Sequence, residues 1–341
     1  MSSLTFLWEF SLALCALATV ALGILVVARV FAVRSEQRRE AIRAELLPTL
    51  LAAAKNPSRL TGVRLDIAAN LACELAELTR GSEREALLER ATVMGVPDLL
   101  VERLKSRSSQ TRLSAVETLA LFDSHVAETT SALDDANPDV RLAAALALAH
   151  RGDGPPTRVF VDKLKMGSEE HSLLLVSLMS DLAERNPGEV AALLFERDVP
   201  VEAKIAATAA LAEGGGEYAP LLAYMAKESE GEADLQPRIF RALGRNGHPA
   251  GLEAIFSGLS SEDPNVRAAA AEAAGKLGAS GTAARLGELL ADENWWVRYR
   301  SGEALLRLGP RGINALRKAS TEANEDARSA AAAMLAEGRV A

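Results

Sequence analysis

The sequence predicts an all-α chain, a right-handed α-solenoid of about eight helix pairs preceded by one transmembrane helix. Three observations carry that prediction. Alanine and leucine dominate the apolar 49% of the chain while aromatics supply only 4%, and small side chains suit closely stacked helices better than a β-sandwich. A marker position, usually basic, recurs at a steady interval along most of the chain, from Arg112 to Arg328. Near the N-terminus stands a run of nineteen uncharged residues, Phe10 to Ala28.

That run comes first. At about 1.5 Å per residue a nineteen-residue helix covers roughly 28 Å, close to the hydrocarbon thickness of a bilayer. Trp8 and Phe31 flank it, where interfacial aromatics sit. No Lys or Arg precedes it, whereas Arg29, Arg34, Arg38, Arg39 and Arg43 follow. The positive-inside bias then predicts a single-pass protein of the inner (cytoplasmic) membrane, its N-terminus outside and its repeats in the cytoplasm. A cleaved secretory signal would carry a basic start and a shorter apolar core. This segment has neither, although Ala16-Leu17-Ala18 has the small-x-small form of a cleavage site. Residues 1–33 are read as the anchor.

Residues 34–96 are read as a juxtamembrane helix followed by irregular capping helices. The first runs from Arg34 to Ala54, with Pro48 expected to kink or break it, and Asn56-Pro57 makes a turn. Thr61 to Leu78 forms the next, with Val63, Ile67, Leu71, Leu75 and Leu78 expected on one buried face. Glu83 to Met94 forms a third. Terminal units of repeat arrays commonly depart from the repeat pattern.

Residues 97–341 are read as the repeat array. Its markers are Arg112, Arg141, Ser172, Lys204, Arg238, Arg267, Arg298 and Arg328. Each interval has room for two helices and two short turns. Pro97, Pro155, Pro156, Pro187, Pro220, Pro249 and Pro310 fall near expected starts of first helices, and Pro138, Pro200 and Pro264 before second helices, where proline is tolerated. Gly152, Gly247, Gly278 and Gly309 punctuate expected helix ends. One such pair cannot bury its apolar face alone, so stacking on neighbours is required.

The unit resembles the HEAT repeat, in particular the short HEAT-like repeats of phycobilin lyases. The resemblance rests on acidic-x5-basic pairs, Asp135/Arg141, Asp198/Lys204, Glu232/Arg238, Asp292/Arg298 and Glu322/Arg328. It rests also on the phrases Asn137-Pro138-Asp139-Val140-Arg141 and Asp263-Pro264-Asn265-Val266-Arg267. It implies that these residues, with Arg267, form a structural ladder between adjacent units. Two departures are expected to interrupt that ladder. Ser172 and Met166 replace the pair in the third unit, and Ser261 holds the acidic position of the sixth.

Among candidate functional residues, Trp295 and Trp296 stand out in a chain with three tryptophans. Two readings stay open: cover for the joint between units, or an exposed anchor for a partner. Trp, Tyr and Arg dominate interface hot spots, and Trp295, Trp296, Arg298, Tyr299 and Arg300 supply that composition.

Catalytic signatures do not appear. His125, His150, His171 and His248 lack paired metal-ligand spacing. Gly214-Gly215-Gly216 has no following Lys and reads as a turn, as Gly244, Gly247 and Gly251 read as a joint. Cys15 and Cys73 form no cysteine framework. Neither a cofactor nor a metal is expected. A net charge of −8 opposes general nucleic-acid binding, which needs a basic surface. The expected function is therefore a non-catalytic, membrane-anchored scaffold that binds a protein partner, itself a membrane or membrane-associated complex. The resemblance to phycobilin lyases implies an alternative, a lyase acting on a bilin or another prosthetic group.

Overall fold

A computed structural model describes residues 2–51, 57–122, 124–152, 154–166, 172–322 and 324–337, while the side chains of 2–7, 9–16, 18, 32, 172, 173 and 322 lie outside the description. The described residues form nineteen α-helices joined by turns and short 3-10 segments, with no strand. Two compact units divide the chain, Met1–Thr129 and Thr130–Ala341.

The first unit opens with α1 (Ser2–Leu51), followed by α2 (Gly62–Leu78), α3 (Ser82–Met94), α4 (Val96–Arg103) and α5 (Ser109–Leu119). Pro48 lies inside α1, and the helix continues to Leu51 instead of breaking there. Arg90, from α3, donates to the Leu50 carbonyl at 2.7 Å, satisfying an acceptor at the end of α1 that has no intrahelical partner. Leu46 and Leu50 anchor that end of α1 in a core with Leu71, Leu87, Met94 and Leu100. On α2 the buried face is Ala68, Ala69, Leu71, Ala72 and Ala76, while Val63 and Leu78 are exposed. Of the expected face Leu71 is buried and Ile67 and Leu75 pack against the core, and alanines widen it where helix-to-helix contact is closest.

The membrane reading needs correction. Among the described residues no helix is long and apolar enough to cross a membrane. The predicted segment's residues 10–16 and 18, Cys15 among them, lie outside the described side chains. The single-pass inner-membrane localisation is not retained.

Helix α6 (Val126–Ser131) precedes α7 (Pro138–Arg151), α8 (Thr157–Lys163), α9 (Ser172–Arg185), α10 (Pro187–Ala192) and α11 (Val201–Glu213). Beyond these come α12 (Ala219–Glu228), α13 (Gln236–Asn246), α14 (Leu252–Gly258), α15 (Pro264–Leu277), α16 (Ala283–Glu288), α17 (Trp295–Arg307), α18 (Pro310–Glu322) and α19 (Glu325–Glu337). Every marker residue from Arg112 to Arg328 falls on an odd-numbered helix, the second of its pair. In the second unit those helices form one layer, in which α7, α9, α11, α13, α15, α17 and α19 each pack on the next. The shorter first helices pack against them, α12 on α13, α14 on α15 and α16 on α17.

Local chemistry sets these boundaries. Asn137, Asp263 and Asn294 are N-caps whose side chains accept from the backbone two residues on, satisfying amides that a helix start leaves unpaired. Proline opens α7 and α15. Gly247 and Gly278 end α13 and α15 in the left-handed region, at φ 71° and 68°, which glycine adopts without a Cβ clash.

Glycine also sets the spacing of the second-helix layer. A Cβ on Gly244 would lie 2.7 Å from Ala273 Cα, and one on Gly275 would lie 2.7 Å from Ala304 Cα. The same close approach thus recurs between α13 and α15 and between α15 and α17. With Ala268 to Ala271, Ala273 and Ala274 all buried, α15 is held on both sides by backbone-distance contacts.

Candidate protein-binding surface

The joints between helix pairs fix everything the surface presents. At the best-formed joint, Arg267 Nη1 donates to the carbonyls of Ser261 and Glu262 at 2.9 and 2.8 Å, closing its own turn. Its Nε and Nη2 donate to the two carboxylate oxygens of Asp292 at 2.7 and 2.9 Å. The Asp292 carboxylate also accepts from the Asn294 amide at 2.9 Å. One arginine therefore locks its own turn and the turn of the next pair. Burial opposes ionisation of Asp292. The Arg267 guanidinium, the Asn294 amide and the nearby Arg298 outweigh it and hold the carboxyl below its ordinary value.

The turn-closing half of this arrangement recurs. Arg112 donates to the carbonyls of Ser106 and Arg107, Arg141 to those of Asp135 and Ala136, and Arg298 to those of Asp292 and Glu293. Within a pair such as Asp292/Arg298, the basic side chain thus bonds the backbone of the acidic residue. The Asp292 carboxylate goes to the preceding unit.

Both predicted interruptions have a structural outcome. In the third unit the side chain of Ser172 is outside the description, but Arg158 on α8 reaches the acidic position of the following unit. Its Nη1 and Nη2 hold Asp198 at 3.2 and 2.7 Å, it also pairs with Glu196, and Asp198 is correspondingly lowered by that guanidinium first. In the sixth unit Ser261 Oγ accepts from the Asp263 amide at 3.3 Å, keeping the turn without a carboxylate. Arg238, one unit earlier, is exposed. Lys204 is half-buried, Glu232 is exposed, and Arg328 is exposed on α19, while the Glu322 side chain lies outside the description.

The joint at Asp292 carries the tryptophans. Asn294 caps α17 by accepting from the Trp296 amide at 2.9 Å, which places both indoles on the first turn. Val297 beside them is buried and anchors the helix. Trp296 and Tyr299 stack with centroids 5.4 Å apart. Trp295 meets them edge-on, at 5.2 and 5.7 Å. The Arg300 guanidinium lies 4.5 Å from the Trp296 ring centre, within cation–π reach. Trp295 is 60% exposed and Trp296 36%. Arg298 is turned into its own joint, so the outward group is Trp295, Trp296, Tyr299 and Arg300.

Sequence reading did not single out a second aromatic group, on the first helices α12 and α14 and in the turn after α10. Phe195, Tyr224 and Phe256 are each more than half exposed, and Phe195 and Tyr224 lie 6.3 Å apart. Each falls once per repeat, upstream of Lys204, Arg238 and Arg267 respectively, and that recurrence was the available signal. Phe256 and Leu252 also line a groove of about 430 Å³ with Gly247, Leu277 and Thr282. Among the described residues, no three His, Cys, Asp or Glu side chains converge as a metal site; His171 lies outside them.

The family model for HEAT repeats matches residues 97–171 and 218–306. The chain carries HEAT repeats. A solved structure agrees on the fold. A multiply substituted Kap121p is matched with a TM-score of 0.50 at 15% identity, over 87% of this chain and 38% of that one. Kap121p bound to Pho4p is matched at 0.48 and 14%, over 87% and 39%. This HEAT-repeat chain therefore spans less than half the length of these relatives. Human deoxyhypusine hydroxylase in complex with glycerol is matched at 0.28 and 16%, over 91% and 99%, too distant a likeness to bear on chemistry. No curated protein is similar in sequence. Support for a phycobilin-lyase type of repeat, or for an N-terminal anchor, does not come from these comparisons.

Proposed function

We propose that this HEAT-repeat chain is a non-catalytic scaffold that holds a protein partner against its layer of second helices. The observation that carries the proposal is the aromatic group at the start of α17. Trp295 leaves 60% of its surface in water, although a tryptophan serving only to seal a joint would be covered. The ring is nevertheless not loose, being braced by Trp296 and Tyr299. A rigid, exposed aromatic beside an arginine loses little side-chain entropy on binding, which is the composition of an interface hot spot.

A quantitative crosslinking pull-down tests this, comparing the wild-type chain with Trp295→Ala/Trp296→Ala. Partners lost selectively from the variant, with helix content unchanged, support the scaffold. Identical recovery by both proteins removes the aromatic group from the binding surface and refutes the proposal as stated.

A further inference from the structure

The second-helix layer also says what kind of partner would fit it. Helices α13, α15 and α17 follow one another at a constant step in the sequence, from Arg238 to Ala269 to Arg300. Their identical glycine contacts keep them in register. The polar stripe then falls into three rows. These are Arg238, Ala269 and Arg300; Arg241, Glu272 and Glu303; and Arg245, Lys276 and Arg307. Six cations share two carboxylates. Glu303 is taken by Arg300 and Arg307, at 2.8 and 2.7 Å. Glu272, only 13% exposed, bonds Lys276 at 2.6 Å, with Arg241 and Arg300 at 3.8 and 3.9 Å. Among the described residues Arg238 and Arg245 pair with no carboxylate, and both are exposed.

The surplus is felt inside the cluster. Burial disfavours the charged form of Arg241, Glu272 opposes that, and Arg238 and Arg300 repel it, leaving the guanidinium lowered from its ordinary value. A chain with a net charge of −8 has here concentrated positive charge that repels itself. An anion laid across the rows would relieve that repulsion.

We propose that the face formed by α13, α15 and α17 binds an extended acidic segment of the partner protein, its carboxylates on Arg238, Arg241, Arg245, Lys276 and Arg307 and an apolar side chain against Trp296 and Tyr299. This rests on the protein-binding reading above and adds the partner's chemistry. Three helices at the usual interaxial distance of about 8–10 Å span roughly 20 Å. An extended chain advances about 3.3 Å per residue, so about six residues cross the face. Charge complementarity favours a protein over a nucleic acid. Glu272 and Glu303 sit among the cations and would repel a continuous phosphate backbone, whereas spaced carboxylates can avoid them. The rest of the chain, acidic on balance, repels a long polyanion too.

The test uses the full chain and fluorescence anisotropy of a labelled peptide bearing four glutamates followed by a leucine. Its glutamine counterpart and a labelled single-stranded oligonucleotide serve as competing probes. Saturable binding of the glutamate peptide alone, weakened by added salt, is expected. Each exposed charge contact is worth a few-fold in affinity, so the Arg238→Glu/Arg245→Glu variant should weaken binding by about 30-fold. Helix content should not change, because both side chains are exposed. Arg317→Glu/Lys227→Glu, which makes the same change in net charge on the first helices, should leave binding within about twofold.

Equal binding of the glutamine peptide, tighter binding of the oligonucleotide, or equal losses in both charge variants would overturn the inference. Failure here is distinguishable from failure of the scaffold reading. A partner lost with the tryptophans but retained by Arg238→Glu/Arg245→Glu leaves the scaffold standing and removes the acidic segment.

Discussion

Replacing Arg267 by alanine should expose how much of the array's cohesion passes through its joints. The side chain makes four hydrogen bonds, two to turn carbonyls and two to Asp292. It is 17% exposed and its carboxylate partner 7%. Removing one member of a buried pair costs about 3–5 kcal/mol, largely because the other charge is left stranded. Asp292 keeps the Asn294 amide and the field of Arg298, so the lower end, about 3 kcal/mol, is expected. Asp292→Ala strands less, because Arg267 retains its two carbonyls, and should cost about 2 kcal/mol. The double variant should cost about 3 kcal/mol, giving a coupling of about 2 kcal/mol between the two sites. Urea unfolding followed by tryptophan fluorescence and circular dichroism measures all three. Because repeats are held mainly by their neighbours, Arg267→Ala should also give α17 to α19 a separate, earlier transition. A change below about 0.5 kcal/mol, or simple additivity in the double variant, would refute the joint as a source of stability.

Gly275→Ala should destabilise by about 1–3 kcal/mol, since the new methyl meets Ala304 backbone that cannot swing aside. Gly281→Ala, which opens onto free space, should be neutral or stabilising by under about 1 kcal/mol in the same urea assay. Asp292 and Glu272 both titrate below their ordinary values of 3.8 and 4.5. Their ionised forms therefore contribute stability above those values, and it is lost as pH falls through the lower folded ones. An acid titration of Asp292→Asn should accordingly show a shallower loss of stability below about pH 4 than the wild type; parallel curves would contradict the assignment. Trp295→Ala/Trp296→Ala should cost only about 1 kcal/mol, the value of exposed ring contacts, and a larger loss on melting would return the indoles to a sealing role.

Much of this architecture is legible in the sequence. The marker positions from Arg112 to Arg328 all lie on second helices because turn chemistry is local. A proline, an Asx cap and a basic residue in the first turn specify a helix start wherever they occur. Faces are less legible. On α2 the expected stripe holds at Ile67, Leu71 and Leu75 and fails at Val63 and Leu78, because the neighbours that decide burial come from α1, α3 and α4 and also cover Ala68, Ala72 and Ala76. Substitution across elements was invisible as well. Ser172 announces a missing cation, yet nothing in a linear pattern says that Arg158, upstream on another helix, would take Asp198. The N-terminal apolar run shows the converse error, in which composition was turned into a location. At the candidate surface, residue type singled out the tryptophans, whereas the rows of cations required knowing that three helices keep one step.

That constant step has a consequence for how such a chain can change. Along α13, α15 and α17 each position has its counterpart one full step on, as Arg241 has Glu272 and Glu272 has Glu303. Removing or copying a block of that length would bring an equivalent turn and glycine contact to each new boundary. The array can thus grow or shrink by whole rungs without rotating any helix. Partial insertions would instead turn the stripe away from its neighbours. On this step the α13 counterpart of Arg267 is Gln236, and the interval from Lys204 to Gln236 is longer than the step, so the rows begin at α13. Length, for this surface, is inherited in fixed increments, and a partner fitted to three rungs could be matched to four by a single duplication.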